Sequence, residues 1–124
     1  MVDFKQKEKY DINDLLEIMR LLCAPGGCPG DAQTHMSIRK NLIEETYEVI
    51  EAIDKDDKEL MTEELGDLLM QVVFHAQMEQ EAGNFDFGDV TDGVCKKLIE
   101  RHPHVFGEVE VSGVGDVLNN WDAI

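Results

Sequence analysis

At 124 residues the chain has room for one domain, residues 1–124, and not for two. Apolar residues make up 43% of it, enough to bury a core, so wholesale disorder is excluded. Against 27 Asp and Glu stand 11 Lys and Arg, a formal net charge of -16 that rules out a surface built for DNA, RNA or an anionic membrane. A protein this negative needs metal cations between itself and any anion it handles.

Residues 1–10 are charged, without the apolar stretch of a secretory leader, and no run approaches the ~20 apolar residues of a membrane span. Cys23, Cys28 and Cys95 are therefore expected as reduced thiols in a cytoplasmic protein. Cys23 and Cys28 lack a second Cys or His pair at zinc spacing, which favours loop or buried thiols over a zinc site.

Ile12, Leu15, Leu16, Met19 and Leu22 recur at helical spacing and predict a first amphipathic helix over residues 11–22. The Pro- and Gly-rich segment 24–30 breaks it. Thr34 or Ser37 caps a second helix that runs to about Asp54. After a short connection at 55–57, a third continues to Gly83, where a helix C-terminus favours glycine. Residues 84–87 form a loop, with Asp86 as cap of a fourth helix that ends before Pro103. A fifth starts at Asp116, and the alternation over 108–112 is the only strand-like pattern. The predicted class is all-α.

The second and third helices carry the chemistry. On a wheel started at Leu42, the residues Leu42, Ile43, Thr46, Tyr47, Val49, Ile50 and Ile53 fill one broad apolar arc, predicted to be buried. Glu44, Glu48 and Glu51 lie opposite, towards solvent. Glu45 falls at the edge of the apolar face, and Glu48 is its i+3 neighbour, so both carboxylates reach one place. From Leu65 to Met78 the third helix is apolar almost all round, which predicts neighbours on every side. Glu64, Asp67, Gln71 and His75 nevertheless form a single polar stripe along it. Acidic groups in a buried helix must face a wet cleft or a cation, because an unpaired buried charge is very costly.

Between Glu44 and Asp67 the chain holds eleven acidic residues and two lysines. Two carboxylates ~5 Å apart repel by about 3 kcal/mol at an effective dielectric of ~20. A solvated acidic face accounts for Asp54, Asp56, Asp57 and Glu59. It accounts poorly for Glu45, Glu64 and Asp67, which sit on or beside apolar faces. A hard divalent cation with all-oxygen ligands fits these better, Mg²⁺ or Mn²⁺ first. Two antiparallel helices, each offering carboxylates three residues apart, would supply four ligands. Covering the apolar third helix requires a second chain, so the expected assembly is a homodimer or dimer of dimers in which both chains complete one antiparallel bundle.

Glu44-Glu45-Thr46-Tyr47-Glu48 followed by Glu64-Leu65-Gly66-Asp67 resembles the EExxE…ExxD signature of the MazG family, all-α nucleoside triphosphate pyrophosphohydrolases. Cys28-Pro29, Gln33-Thr34-His35, Phe85-Asp86-Phe87 and the segment Arg101-His102-Pro103-His104-Val105-Phe106 are similar to family segments as well. The match is to the N-terminal type of domain in longer members that carry two. The resemblance implies Mg²⁺-dependent attack of water on the α-phosphorus of an NTP or dNTP, giving the monophosphate and pyrophosphate. It implies Glu45, Glu48, Glu64 and Asp67 as metal ligands, and Glu44 or a ligand such as Glu48 as acceptor of the water's proton. It implies Lys97 and Arg101 as phosphate contacts, against a plainer reading as solvated charges pairing with Glu100. Trp121 would stack on the base or pack between helices. Gly30 stands where the family usually has tryptophan, in a loop one residue short, and Asn41 stands where active domains carry lysine. Both departures bear on nucleotide affinity and rate.

His75 is expected as a hydrogen-bonded histidine between helices, and His102 and His104 as residues that end the fourth helix. Gly26-Gly27 lacks the GxxxxGK[ST] pattern, which excludes a P-loop. Two other readings compete with the hydrolase: a weakly active domain with a regulatory or oligomerising role, and an acidic helical module that recruits a basic partner.

Overall fold

A computed structural model describes residues 2–28, 33–108, 110 and 112–123. Every element among these residues is helical, as predicted: α1 (Ile12–Cys23), α2 (His35–Asp54), α3 (Lys58–Glu81), α4 (Phe87–Arg101), α5 (Pro103–Phe106) and α6 (Val114–Ala123). The alternation over 108–112 includes residues 109 and 111, which lie outside the described residues; Glu108, Glu110 and Ser112 are not in a strand. Contacts divide the chain into two compact units, residues 1–86 and 87–124.

Local chemistry sets the helix ends of the first unit. Asp11 caps α1 in a reciprocal box: its carboxylate accepts from Asp14 N at 3.1 Å, and that of Asp14 accepts from Asp11 N at 2.8 Å. Of the two predicted caps for α2 the structure uses Thr34, whose Oγ1 accepts from Ser37 N at 3.1 Å. Both α2 and α3 end in the same turn. Asp57 N donates to Ala52 O and Asp56 N to Ile53 O; Asn84 N donates to Glu79 O and Gly83 N to Gln80 O. Each turn needs a left-handed residue, supplied by Asp56 at φ 51° and Gly83 at φ 80°. Asp57 then accepts from Leu60 N and starts α3, which is why three residues suffice to connect the two helices.

α3 packs against both α1 and α2. The core of the first unit is Met19 of α1, Ile38, Val49 and Ala52 of α2, and Val73, Phe74 and Ala76 of α3. Two faces expected to be covered are open in the single chain, the one on α3 in line with the expectation that a second chain is needed. Ile43 is 59% and Tyr47 67% exposed, and Ile50 and Ile53 are exposed too, so only the Val49 side of the α2 arc is covered. On α3, Leu65, Leu69, Met70 and Val72 are also exposed. The reason is geometric: two neighbours cover two sides of a helix, and a helix that is apolar all round has more sides than that.

In the second unit, His102 ends α4 by bonding through ring Nδ1 to Leu98 O at 2.7 Å, the terminating role expected of it. Pro103 then opens α5, a single turn that sequence reading missed by treating proline only as a stop; at the first helical position its fixed φ is an advantage. α6 begins at Val114 rather than Asp116, because the Asp116 carboxylate accepts from Ser112 N and Oγ and so belongs to the first turn.

Candidate metal centre

α2 and α3 bring together the four carboxylates that the sequence singled out. One oxygen each of Glu45, Glu48, Glu64 and Asp67 lies within 4.8 Å of all the others. The periodicity that placed Glu45 at the edge of the apolar face leaves it half-buried, as are Glu64 and Asp67, while Glu48 is exposed. Glu45 Oε2 and Glu64 Oε2 are buried without a hydrogen-bond partner. No ion pair among the described residues reaches any of the four. Like charges held this close favour the protonated form. The Glu64 carboxyl is pushed up to about 7, by its hydrogen bond to Glu48 first, then by desolvation and by the charges of Glu48, Asp67 and Glu45. Glu45 is raised by burial first, then by Glu48.

Two buried oxygens with no donor, in a set of hard oxygen ligands three residues apart on facing helices, fit a divalent cation of the Mg²⁺ or Mn²⁺ kind. Glu44 is not part of this group; it is exposed and pairs with Lys40 at 3.7 Å, though its charge still adds to that felt by Glu45.

The polar stripe of α3 continues beyond the carboxylates. Gln71 is 4% exposed, with Oε1 unpartnered. His75 Nδ1 lies 2.7 Å from His35 Nδ1 of α2, and His35 Nε2 lies 2.6 Å from Glu79 Oε1. Asn84 Nδ2 donates to the other Glu79 oxygen at 2.8 Å. His75 is thus the interhelical hydrogen-bonded histidine expected, with its pKa lowered by burial and then by His35. Sequence reading gave no role to His35 and Glu79. Glu79 was within reach of it, since it follows His75 by one turn and extends the same stripe.

The remaining predicted residues lie in the second unit. The Arg101 guanidinium stands 5.2 Å from the centre of the Trp121 ring, and His102 meets that ring edge-on at 5.4 Å. Trp121 therefore packs α6 against the end of α4. Lys97 is exposed on α4, one turn before Arg101. The altered loop at Gly30 lies outside the described residues.

The chain matches the MazG nucleotide pyrophosphohydrolase domain over residues 33–106, which takes in the four carboxylates. It is 54% identical over 96 residues to the nucleoside triphosphate pyrophosphohydrolase/pyrophosphatase MazG of Thermotoga maritima, covering 77% of this chain and 38% of that protein. It is 48% identical over 115 residues to the nucleoside triphosphate pyrophosphohydrolase of Escherichia coli K12, covering 91% of this chain and 44% of that one. A third relative, the uncharacterized protein YabN of Bacillus subtilis, is 47% identical over 116 residues, 93% of this chain and 24% of its own. The chain thus spans less than half the length of these relatives. Its fold is similar to the crystal structure of a mazG-related protein from Thermotoga maritima, with a TM-score of 0.74 and 26% identity over 90% of this chain and 96% of that one. Sequence and fold agree: the chain belongs to the MazG nucleotide pyrophosphohydrolase domain family.

Proposed function

We propose that this domain hydrolyses nucleoside triphosphates, NTP or dNTP, to the monophosphate and pyrophosphate with Mg²⁺, or Mn²⁺ in its place. The observation that carries the reading is the group of four carboxylates with two buried, donorless oxygens. Glu45, Glu48, Glu64 and Asp67 hold the metal. When bound, it neutralises triphosphate charge and lowers the pKa of the attacking water. The chain's own groups do the rest. Exposed Glu48, or Glu44 beside it, accepts the proton that water gives up. Lys97 and Arg101 contact phosphate oxygens, and Trp121, already stacked with Arg101, offers a flat face to the base.

A second copy completes an antiparallel bundle, giving a homodimer or dimer of dimers. Within one chain, α2 runs against α3, since His35 at the start of α2 meets His75 and Glu79 near the end of α3; the faces left open by this pair are what a second copy would cover. Further support is the open apolar groove of about 330 Å³ lined by Leu42, Ile43, Thr46, Tyr47 and Ile50. No helix among the described residues is long and apolar enough to cross a membrane, and the proposed setting is the cytoplasm. Chromatography of products from ATP and a panel of dNTPs with Mg²⁺ tests the activity. Monophosphate and pyrophosphate are expected; diphosphate and phosphate would overturn it.

A further inference from the structure

The backbone of the loop after α1 brings two cysteines close in a way that the proposed hydrolysis does not use. Cys23 is the last residue of α1, with Sγ 3.7 Å from Met19 Sδ, and Cys28 is exposed five positions on. The loop closes on itself: Gly27 N donates to Ala24 O at 2.9 Å, and Cys28 N donates to Leu22 O at 2.9 Å. That last bond limits the separation of the two cysteines. In a trans peptide the Cα of Cys23 lies about 2.8 Å from Leu22 O, and the Cα of Cys28 about 1.5 Å from its own nitrogen. With the 2.9 Å hydrogen bond between them, the Cα atoms are at most about 7.2 Å apart on a straight path, and the bend a hydrogen bond takes brings them closer. Disulfides span about 4.4–6.8 Å between Cα atoms. Both residues line one open recess of about 370 Å³, which Glu81 of α3 also lines. The loop holds this shape because of Gly27: a Cβ there would lie 2.2 Å from Leu21 O and 2.6 Å from Leu22 O.

We propose that Cys23 and Cys28 form a reversible dithiol–disulfide pair, a modification site that takes electron-accepting disulfides. The exposed Cys28 thiolate attacks one sulfur of R–S–S–R, forming Cys28–S–S–R and releasing RS⁻, which takes up the proton Cys28 lost. The Cys23 thiolate then attacks the Cys28 sulfur, forming the Cys23–Cys28 bond and expelling the second RS⁻, protonated in turn. Two protein thiols are oxidised, one small disulfide is reduced, and two RSH leave. Glu81 on the recess wall and the net charge of -16 repel anionic reagents, so a neutral disulfide is the fitting reactant. In a reducing compartment the pair rests as the dithiol and responds only when small disulfides accumulate.

The test equilibrates the chain with neutral 2-hydroxyethyl disulfide at set ratios to 2-mercaptoethanol, in native buffer and in urea, with acid quench and mass spectrometry. In the native wild type, peptide mapping should find a Cys23–Cys28 bond, two hydrogens lighter than the dithiol, whether the exposed Cys95 is a thiol or a mixed disulfide. Preorganisation should raise its oxidation constant about tenfold or more over urea, where only chain proximity acts. Cys23→Ser should stop at the mixed disulfide on Cys28, and Cys95→Ser should behave as wild type. Gly27→Ala, which keeps the spacing but cannot keep the loop, should lose the native advantage. A wild type that stops at the mixed disulfide would overturn the proposal. So would equal constants in buffer and urea, or an undiminished advantage in Gly27→Ala.

Discussion

Metal binding at the four carboxylates must expel protons, and the number follows from the site. Glu64 titrates at about 7 in the metal-free protein, against an ordinary 4.5, because Glu48, burial and the neighbouring charges all favour its neutral form. As a ligand it must ionise. A group with that pKa is protonated in about half of molecules at pH 7, about nine-tenths at pH 6 and about one-tenth at pH 8. Binding of Mg²⁺ therefore releases about half a proton from Glu64 at pH 7, and Glu45, raised in the same direction, adds to it. The linked affinity falls about fivefold from pH 7 to pH 6 through Glu64 alone, and is nearly flat above pH 8. Titration calorimetry in buffers of different ionisation enthalpy counts the protons directly. Glu64→Gln, which keeps the shape of the side chain, should bind more weakly and, at saturating Mg²⁺, release only the smaller share due to Glu45. Binding without proton release at pH 6 to 7, or with the same release in Glu64→Gln, would refute the coupling of these carboxylates through a shared metal.

Asp67→Asn should leave the metal-free protein as stable as wild type or more so, yet gain less melting temperature from millimolar Mg²⁺ and hydrolyse orders of magnitude more slowly; Asp56→Asn, on the exposed connection, should change neither. Because the folded pKa of Glu64 lies above the ordinary 4.5, its contribution to metal-free stability is present below about pH 4.5 and is lost as pH rises towards 7, which thermal melts in EDTA across that window will register. Asp56→Gly relieves a left-handed backbone at φ 51° and should stabilise by about 0.5–1 kcal/mol in urea melts; a loss would contradict the turn geometry. NMR titration should find His75 below the ordinary histidine value and, in His35→Asn, shifted upward once its neighbour's charge is gone.

Most of the helical pattern was legible because it is local. Thr34, one of two caps read from the sequence, and Gly83 act on their own backbone within a turn, so local spacing locates them; the capping roles of Asp11 and Asp57 are just as local but were not read. The site was legible for a related reason. A carboxylate on an apolar face is an inconsistency visible in one helix, and Glu45, Glu64 and Asp67 each present it. What stayed hidden depends on pairing between elements. The His35–His75–Glu79 chain joins residues forty positions apart, and nothing in the neighbourhood of His35 announces its partner. The exposure of Ile43 and Tyr47 in the single chain was not legible, because periodicity marks a face as apolar without saying which neighbour, in the same chain or another, covers it. The single turn α5 was missed because one proline both ends α4 and starts the next element.

Hydrolysis in ¹⁸O-labelled water tests the central claim most directly, since the position of the label reports which phosphorus was attacked. With Mg²⁺ and wild-type protein the label should appear in the nucleoside monophosphate and be absent from pyrophosphate, and product formation should stop in EDTA and fall by orders of magnitude with Asp67→Asn. Label in pyrophosphate or in free phosphate, or turnover that survives both EDTA and the loss of Asp67, would contradict an α-phosphorus attack organised by Glu45, Glu48, Glu64 and Asp67.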